Sequence, residues 1–159
     1  MNGTSDSRFS PDESTTRGMI VTILYRLEGE PAAADAGFSD VASGQYYTSA
    51  IAWASANQIV NGYGDGRFGP NDIITREQLA AILYRYAQYK GYDVTDGGMS
   101  LHEYRDADQV SSYALSALQW AVSEELLQGV GTSLISPKTS ATRAQAATIL
   151  MRFCEEIAK

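Results

Sequence analysis

The chain is poor in several things that would each point to a function. It has one cysteine, Cys154, which excludes an internal disulfide. Cys154 falls on an apolar face of the last expected helix and reads as a buried thiol. It has one histidine, His102, in a linker beside Glu103, and no Ser or Cys with a base at suggestive spacing. His102 therefore reads as a surface residue, and nothing in the chain marks an enzyme or calls for a cofactor. Positive charge is scarce: 12 Lys and Arg stand against 19 Asp and Glu, for a net charge of -7 and a pI near 4.6. Nucleic acid and anionic membrane surfaces want a basic face, so both are excluded as general partners. A local arginine cluster holding an anion is not. No run approaches the roughly 18 consecutive apolar residues of a membrane span, so membrane insertion is not expected. The N-terminus is polar rather than basic and then apolar, so an exported protein would carry its signal peptide outside this chain.

What the chain does have is repetition. Asn2-Gly3, Arg8-Phe9, Pro11 and Thr16-Arg17 recur 59 residues later as Asn61-Gly62, Arg67-Phe68, Pro70 and Thr75-Arg76. A third copy follows after 67 more: Gly129, Gly131, Ile135, Pro137 and Thr142-Arg143. A period of this size means stacked copies of one supersecondary unit, so a site carried by the unit should recur. With 44% hydrophobic residues over 159 positions, one domain with a real core is expected. Its parts are a partial first repeat over 1–30, a second over 38–90 and a third over 104–159.

Each complete repeat reads as helix, glycine loop, helix. A first helix is expected over 46–59, with Tyr47, Ile51 and Ala54 at helical spacing. The loop Asn61-Gly62-Tyr63-Gly64-Asp65-Gly66 cannot continue it. A second helix opens at Thr75, with Leu79, Ile82, Leu83 and Tyr86 on one face. Thr75 with Gln78, and Thr142 with Gln145, form capping boxes. Thr16 has Met19 in the return position, so that box is half made. Tyr113, Ala117, Leu118 and Trp120 repeat Tyr46, Ala50, Ile51 and Trp53. Both tryptophans sit in alanine-rich interiors and read as core. The chain thus holds three second helices and two first ones. The linkers are 29–37 and 91–103, and the longer is expected to be the more mobile.

The combined pattern resembles the S-layer homology module. The residues that carry it are Phe38-x-Asp40-Val41, Tyr46-Tyr47, Ala50-x-Ala52-Trp53-Ala54, Gly62-Tyr63-Gly64-Asp65-Gly66-x-Phe68-x-Pro70 and Ile74-Thr75-Arg76-Glu77-Gln78. The third copy departs from it, with Thr132-Ser133 in place of Asp65-Gly66 and Ile135 in place of Phe68. The resemblance implies an all-α fold of tandem helix-loop-helix repeats with pseudo-threefold symmetry. It implies non-covalent anchoring of an exported Gram-positive protein at the cell wall or S-layer. The implied ligand is a secondary cell wall polysaccharide, often pyruvylated, held in grooves between repeats. By matching position, the implied groove residues are Arg17, Arg76 and Arg143; Gly3, Gly62, Gly64, Gly129 and Gly131; and Tyr46 and Tyr113. Asp40 and Asp106 precede the first helices. They either belong to the ligand site or pair with the arginines to lock repeat to repeat.

A cation at the first position of a helix opposes the macrodipole by about 0.3–1 kcal/mol, so three such arginines call for a compensating partner. Orphan helix amides beside a guanidinium fork would suit a carboxylate or phosphate. Tyr46 and Tyr113 stand at helix starts, open either to a sugar ring or to solvent. Arg8 and Arg67 read as solvated. A calcium loop at Asn61, Tyr63, Asp65 and Asp72 is disfavoured, because Tyr63 is a poor ligand and Val130 and Thr132 carry no acid. No metal site is expected. The second reading is an assembly module: without the third first helix a core face stands uncovered. That face would be covered by a segment upstream, which would also carry the cargo domain, by another copy of this chain in a homo-oligomer, or by something else.

Overall fold

The three second helices begin where the threonine-arginine pairs place them. In the computed structural model, which describes residues 1–95, 101–131 and 133–158, these are α1 (Arg17–Leu27), α3 (Arg76–Lys90) and α5 (Arg143–Arg152). Thr16, Thr75 and Thr142 are extended N-caps whose hydroxyls accept from the amides of Met19, Gln78 and Gln145. In α3 and α5 the glutamine carbonyl also accepts from the cap amide, completing the box, and in α1 it does not. α3 stops at Gly91, whose left-handed φ of 73° ends the last turn. α5 runs into one wider turn, Phe153–Ile157.

The first helices are α2 (Thr48–Ala56) and α4 (Leu115–Ser123). Neither has a side-chain cap, and at nine residues each depends on packing rather than propensity. α2 starts two residues later than the pattern suggests. The Thr48 hydroxyl donates to Ala42 O at 2.7 Å and accepts from Gln45 N at 3.0 Å, which holds Tyr46 and Tyr47 in a turn ahead of the helix. α2 packs on α1, and α4 on α3. Trp53 and Trp120 are core, as expected, with 2% and 0% exposure. Trp53 meets Tyr25 at 5.8 Å between centroids, and Trp120 meets Tyr84 at 5.6 Å. Such aromatic pairs add about 0.5–1.5 kcal/mol beyond the area they bury. The architecture is all-α, and the described residues hold isolated β-bridges but no strand.

The three repeats are joined in a closed ring of backbone hydrogen bonds. Thr15 N donates to Ala141 O at 3.0 Å, Ala141 N to Ile74 O at 3.0 Å, and Ile74 N to Thr15 O at 2.8 Å. All three residues are fully buried. Around this triangle each second helix rests its first two amides on the proline loop of the next repeat. Arg17 N and Gly18 N donate to Asp72 O and Pro70 O. Arg76 N and Glu77 N donate to Thr139 O and Pro137 O. Arg143 N and Ala144 N donate to Glu13 O and Pro11 O. The amides expected to receive an anion are therefore already satisfied by main chain.

Asp40 and Asp106 do not pair with the arginines. Asp40 accepts from Phe68 N and Gly69 N at 2.8 Å each. Asp106 accepts from Ile135 N at 2.9 Å and Ser136 N at 2.8 Å. Each carboxylate thus closes the glycine loop behind its own repeat. Cys154 is exposed rather than buried. Its counterpart Ala87 lies wholly buried on α3, the helix that packs against α4, whereas among the described residues no first helix packs on α5 in the same way. Residues 96–100 of the long linker and Thr132 of the third loop lie outside the described residues, and with them much of the expectation of linker mobility.

Candidate functional site: three arginine-lined clefts

The ring of contacts leaves three clefts with matching walls. Each is lined by the leading arginine of one second helix and by one face of the second helix of a neighbouring repeat. The first holds Arg17 with Gln78, Ala81, Ile82 and Arg85; the second Arg143 with Met19, Thr22, Ile23 and Arg26; the third Arg76 with Gln145, Thr148, Ile149 and Arg152. Their volumes are about 370, 270 and 230 Å³. Among the described residues, no carboxylate lines any of them. Six of the nine arginines of an acidic chain line these clefts, two to each.

Arg17, Arg76 and Arg143 are only 6%, 5% and 4% exposed. Each sends Nε to a backbone carbonyl of the adjoining loop: Phe68 O at 3.0 Å, Ile135 O at 3.0 Å and Phe9 O at 2.8 Å. Arg76 Nη2 also donates to Gln128 O at 2.6 Å, and Arg143 Nη2 to Asn2 O at 2.5 Å. The Arg17 guanidinium lies 4.8 Å from the Tyr63 ring centroid and 4.7 Å from that of Phe68, as that of Arg143 lies 5.0 Å from Phe9, but the Arg17 Nη groups hold no hydrogen bond among the described residues. Burial pushes the Arg17 pKa down; Tyr63, Tyr113 and Asp72 oppose that, and Arg85 adds to it. Burial likewise lowers Arg76, against Asp106 and Tyr104. Both remain charged at any physiological pH. A desolvated guanidinium facing a second one is stabilised by any anion that enters between them.

The other expected residues divide between clefts and scaffold. Gly62 and Tyr113 line the cleft of Arg17, and Gly3 and Tyr46 that of Arg143. Among the described residues, the cleft of Arg76 has no tyrosine. Tyr46 and Tyr113 are 54% and 52% exposed. Tyr113 donates to Glu77 Oε1 at 3.3 Å, and burial first, then Glu77, pushes its pKa up to about 12. Gly3, Gly62 and Gly129 are needed for loop closure: a Cβ would meet Arg8 O at 2.6 Å, Arg67 O at 2.5 Å and the Tyr104 ring at 2.9 Å. Gly64 and Gly131 sit at turn tips with φ of 87° and 66°. These two glycines, Gly129, Asp40 and Asp106 do not line the clefts. Arg67 is exposed and paired with Asp65 at 2.8 Å.

The residues the sequence reading missed are Arg26, Arg85 and Arg152. They stand nine positions after each leading arginine and recur at the same offsets of 59 and 67, so the repeat itself carried the signal. Arg85 has no hydrogen bond or ion pair among the described residues. Arg26 reaches Glu30 only at 4.0 Å, and Arg152 donates weakly to Glu125 O at 3.4 Å. A fourth cleft, lined by Glu124, Glu125, Glu156 and Arg152, is acidic and unlike the other three.

The sequence profile of the S-layer homology domain matches residues 37–80 and 103–147. Similarity extends to multidomain proteins. An endoglucanase of Bacillus sp. (strain KSM-635) is 33% identical over 99% of this chain and 17% of its own length. The surface-layer 125 kDa protein of Lysinibacillus sphaericus is 29% identical over 99% of this chain and 13% of its own. A cellulosome-anchoring protein of Acetivibrio thermocellus is 31% identical over 63% of this chain and 22% of its own. The chain therefore spans less than a quarter of each of these relatives. With both profile matches falling on complete repeats and together covering more than half of the sequence, the chain belongs to the S-layer homology domain family.

Proposed function

We propose that this chain is a non-catalytic anchor that holds acidic cell wall polysaccharide in its arginine-lined clefts. Cell-surface anchoring is supported by the family and by relatives that include a surface-layer protein and a cellulosome-anchoring protein. The observation that carries the ligand class is the arginine pair repeated in three clefts without a facing carboxylate. A carboxylate such as ketal-linked pyruvate would bridge the pair, and Tyr113 or Tyr46 would cover the adjoining sugar ring. Several weak sites on one polymer would act together by avidity. No helix among the described residues is long and apolar enough to cross a membrane, and attachment through wall polymer requires none. Catalysis in a longer protein would reside in other domains.

The test uses the outer arginines. Arg17, Arg76 and Arg143 bond loop carbonyls, so replacing them confuses folding with binding. Arg26→Ala, Arg85→Ala and Arg152→Ala combined should leave the helical spectrum intact and abolish retention on purified wall polymer, and removal of pyruvate should do the same to the wild type. Undiminished retention of the triple variant would reject the cleft as the binding site.

A further inference from the structure

Two glycine loops open on an asparagine, and both asparagines stand in an arginine cleft. Asn61 lines the cleft of Arg17 and Arg85, and Asn2 that of Arg143 and Arg26. Of the four asparagines in the chain these two alone precede a glycine; Asn57 precedes Gln58, and Asn71 precedes Asp72. The third loop opens on Gln128-Gly129 instead, and Gln128 lines the cleft of Arg76. Asparagine is a thermolabile residue, most of all before glycine. The next backbone nitrogen attacks the side-chain carbonyl carbon, and glycine has no Cβ to obstruct the five-membered ring that forms. Glutamine would have to close a six-membered ring, which is far slower. Asn61 is the freer of the two asparagines. It is exposed in an irregular stretch, and among the described residues neither its side chain, its carbonyl nor Gly62 N takes part in a hydrogen bond. The Asn2 carbonyl, by contrast, is held by Arg143 Nη2. Gly62 cannot be exchanged for a safer residue, because a Cβ there would meet Arg67 O and the Phe38 ring. The same close fit means that the ring closes only when the loop opens locally, so the reaction is slow.

We propose that Asn61 is a self-modification site, whose deamidation converts the cleft of Arg17 from an anion receptor into one that carries its own anion. Gly62 N attacks Asn61 Cγ, the bond from Cγ to the side-chain nitrogen breaks, and ammonia leaves with the proton that Gly62 N gives up. Water then opens the succinimide at either carbonyl and leaves aspartate or isoaspartate, so no oxidant or cofactor is needed. The arginines of the cleft favour the step, because negative charge develops on the attacked oxygen beside a positive surface. Either product sets a carboxylate in a cleft that, among the described residues, has two arginines and no acid. That carboxylate competes from within the molecule for the guanidinium groups that an acidic sugar would bind. Isoaspartate also adds a methylene to the main chain, two residues before the 2.8 Å bond from Tyr63 N to Arg67 O that closes the loop. The cleft of Arg76 is exempt through Gln128. The inference rests on the glycan reading for its consequence and not for its chemistry.

The test ages the full chain in warm, mildly alkaline buffer and follows two readouts: the mass of each asparagine-bearing peptide, and retention on purified acidic wall polymer. Position 61 should gain the mass of an amide-to-acid exchange first, with Asn2 slower and Asn57 and Asn71 unchanged, and retention should fall in step with the change at 61. Freshly made Asn61→Asp should already bind the polymer at least about tenfold more weakly, with an unaltered helical spectrum. Asn61→Gln should keep whatever retention it starts with through the same ageing; Gln128 shows that the loop accepts glutamine at this place. A peptide of residues 58–66 serves as the unfolded reference. No detectable conversion of Asn61 in the folded chain once that peptide has converted completely overturns the proposal. So does full conversion with retention unchanged. Both of those outcomes leave the glycan reading standing, whereas fresh wild type that is not retained at all sinks that reading and this inference with it.

Discussion

α3 and α5 begin alike and end in different surroundings. Both open on a threonine capping box, both place an arginine on a loop carbonyl, and both donate two amides to a neighbouring proline loop. α3 then packs against α4: Tyr84 meets Trp120, Glu77 accepts from Ser111 in the segment before α4, and Ala87 is buried. α5 offers Met151, Ala144 and Cys154 at the same positions to solvent or to partial cover. The lesson is that helix starts are fixed by local chemistry, whereas the fate of a helix face is fixed by what another segment brings to it.

The comparison can be broken most forcefully at its aromatic contacts. Trp120→Ala removes a fully buried ring from between Tyr84 and Phe153 and should cost about 3–5 kcal/mol in urea unfolding. Met151→Ala, at the position equivalent to Tyr84, should stay within about 0.5 kcal/mol because its side chain is half exposed. A large loss at Met151 would mean that α5 is already covered in solution. Either result fixes how much of the core lies on the α3 side.

A sharper version uses acid. Glu77 lies at the second position of α3, 2% exposed, where α5 has Ala144. Burial raises the Glu77 pKa, but the hydrogen bonds from Lys138 and from the amide and hydroxyl of Ser111 outweigh it and hold the group below its ordinary value. A carboxylate depressed in the folded state contributes stability that is present above its unfolded pKa of about 4.3 and is lost as pH falls through the folded value. Stability of the contact between α3 and the segment ahead of α4 should therefore fall below about pH 4.3, and Glu77→Gln should flatten that acid limb while lowering stability at pH 7. Thermal melts between pH 3 and pH 7 decide it; an unchanged acid limb would remove Glu77 from the junction.

Much of this was legible in the sequence, because it is local. The caps at Thr16, Thr75 and Thr142, the tryptophan cores and the repeat offsets depend on residues within one unit. The closing of the ring was not legible. Arg143 Nε reaches Phe9 O across 134 positions, and no short-range pattern announces that helix amides will be taken by the carbonyls of another repeat. The same gap explains Cys154, whose burial was inferred from periodicity although periodicity cannot say whether a covering helix exists. Arg26, Arg85 and Arg152 recur at the repeat offsets, but the offset alone does not say that a residue three turns into one helix shares a cleft with the first residue of another.

The finest distinction lies among the three caps. Thr75 and Thr142 satisfy two amides each through a reciprocal box, while Thr16 satisfies one. Thr75→Ala should cost about 1 kcal/mol, near the middle of the range for caps. Gln78→Ala isolates the return bond and should cost a fraction of that, because the cap amide at Thr75 is only part-buried and water can replace the glutamine. Met19→Gln completes the box on α1 and should stabilise it by a similar fraction, but Met19 also lines the cleft of Arg143, so the gain is to be read with wall polymer absent. If Met19→Gln leaves the urea midpoint unchanged while Gln78→Ala lowers it, the box depends on the register of the helix against its neighbour. The two repeats would then differ in cap geometry as well as in the residue at the return position.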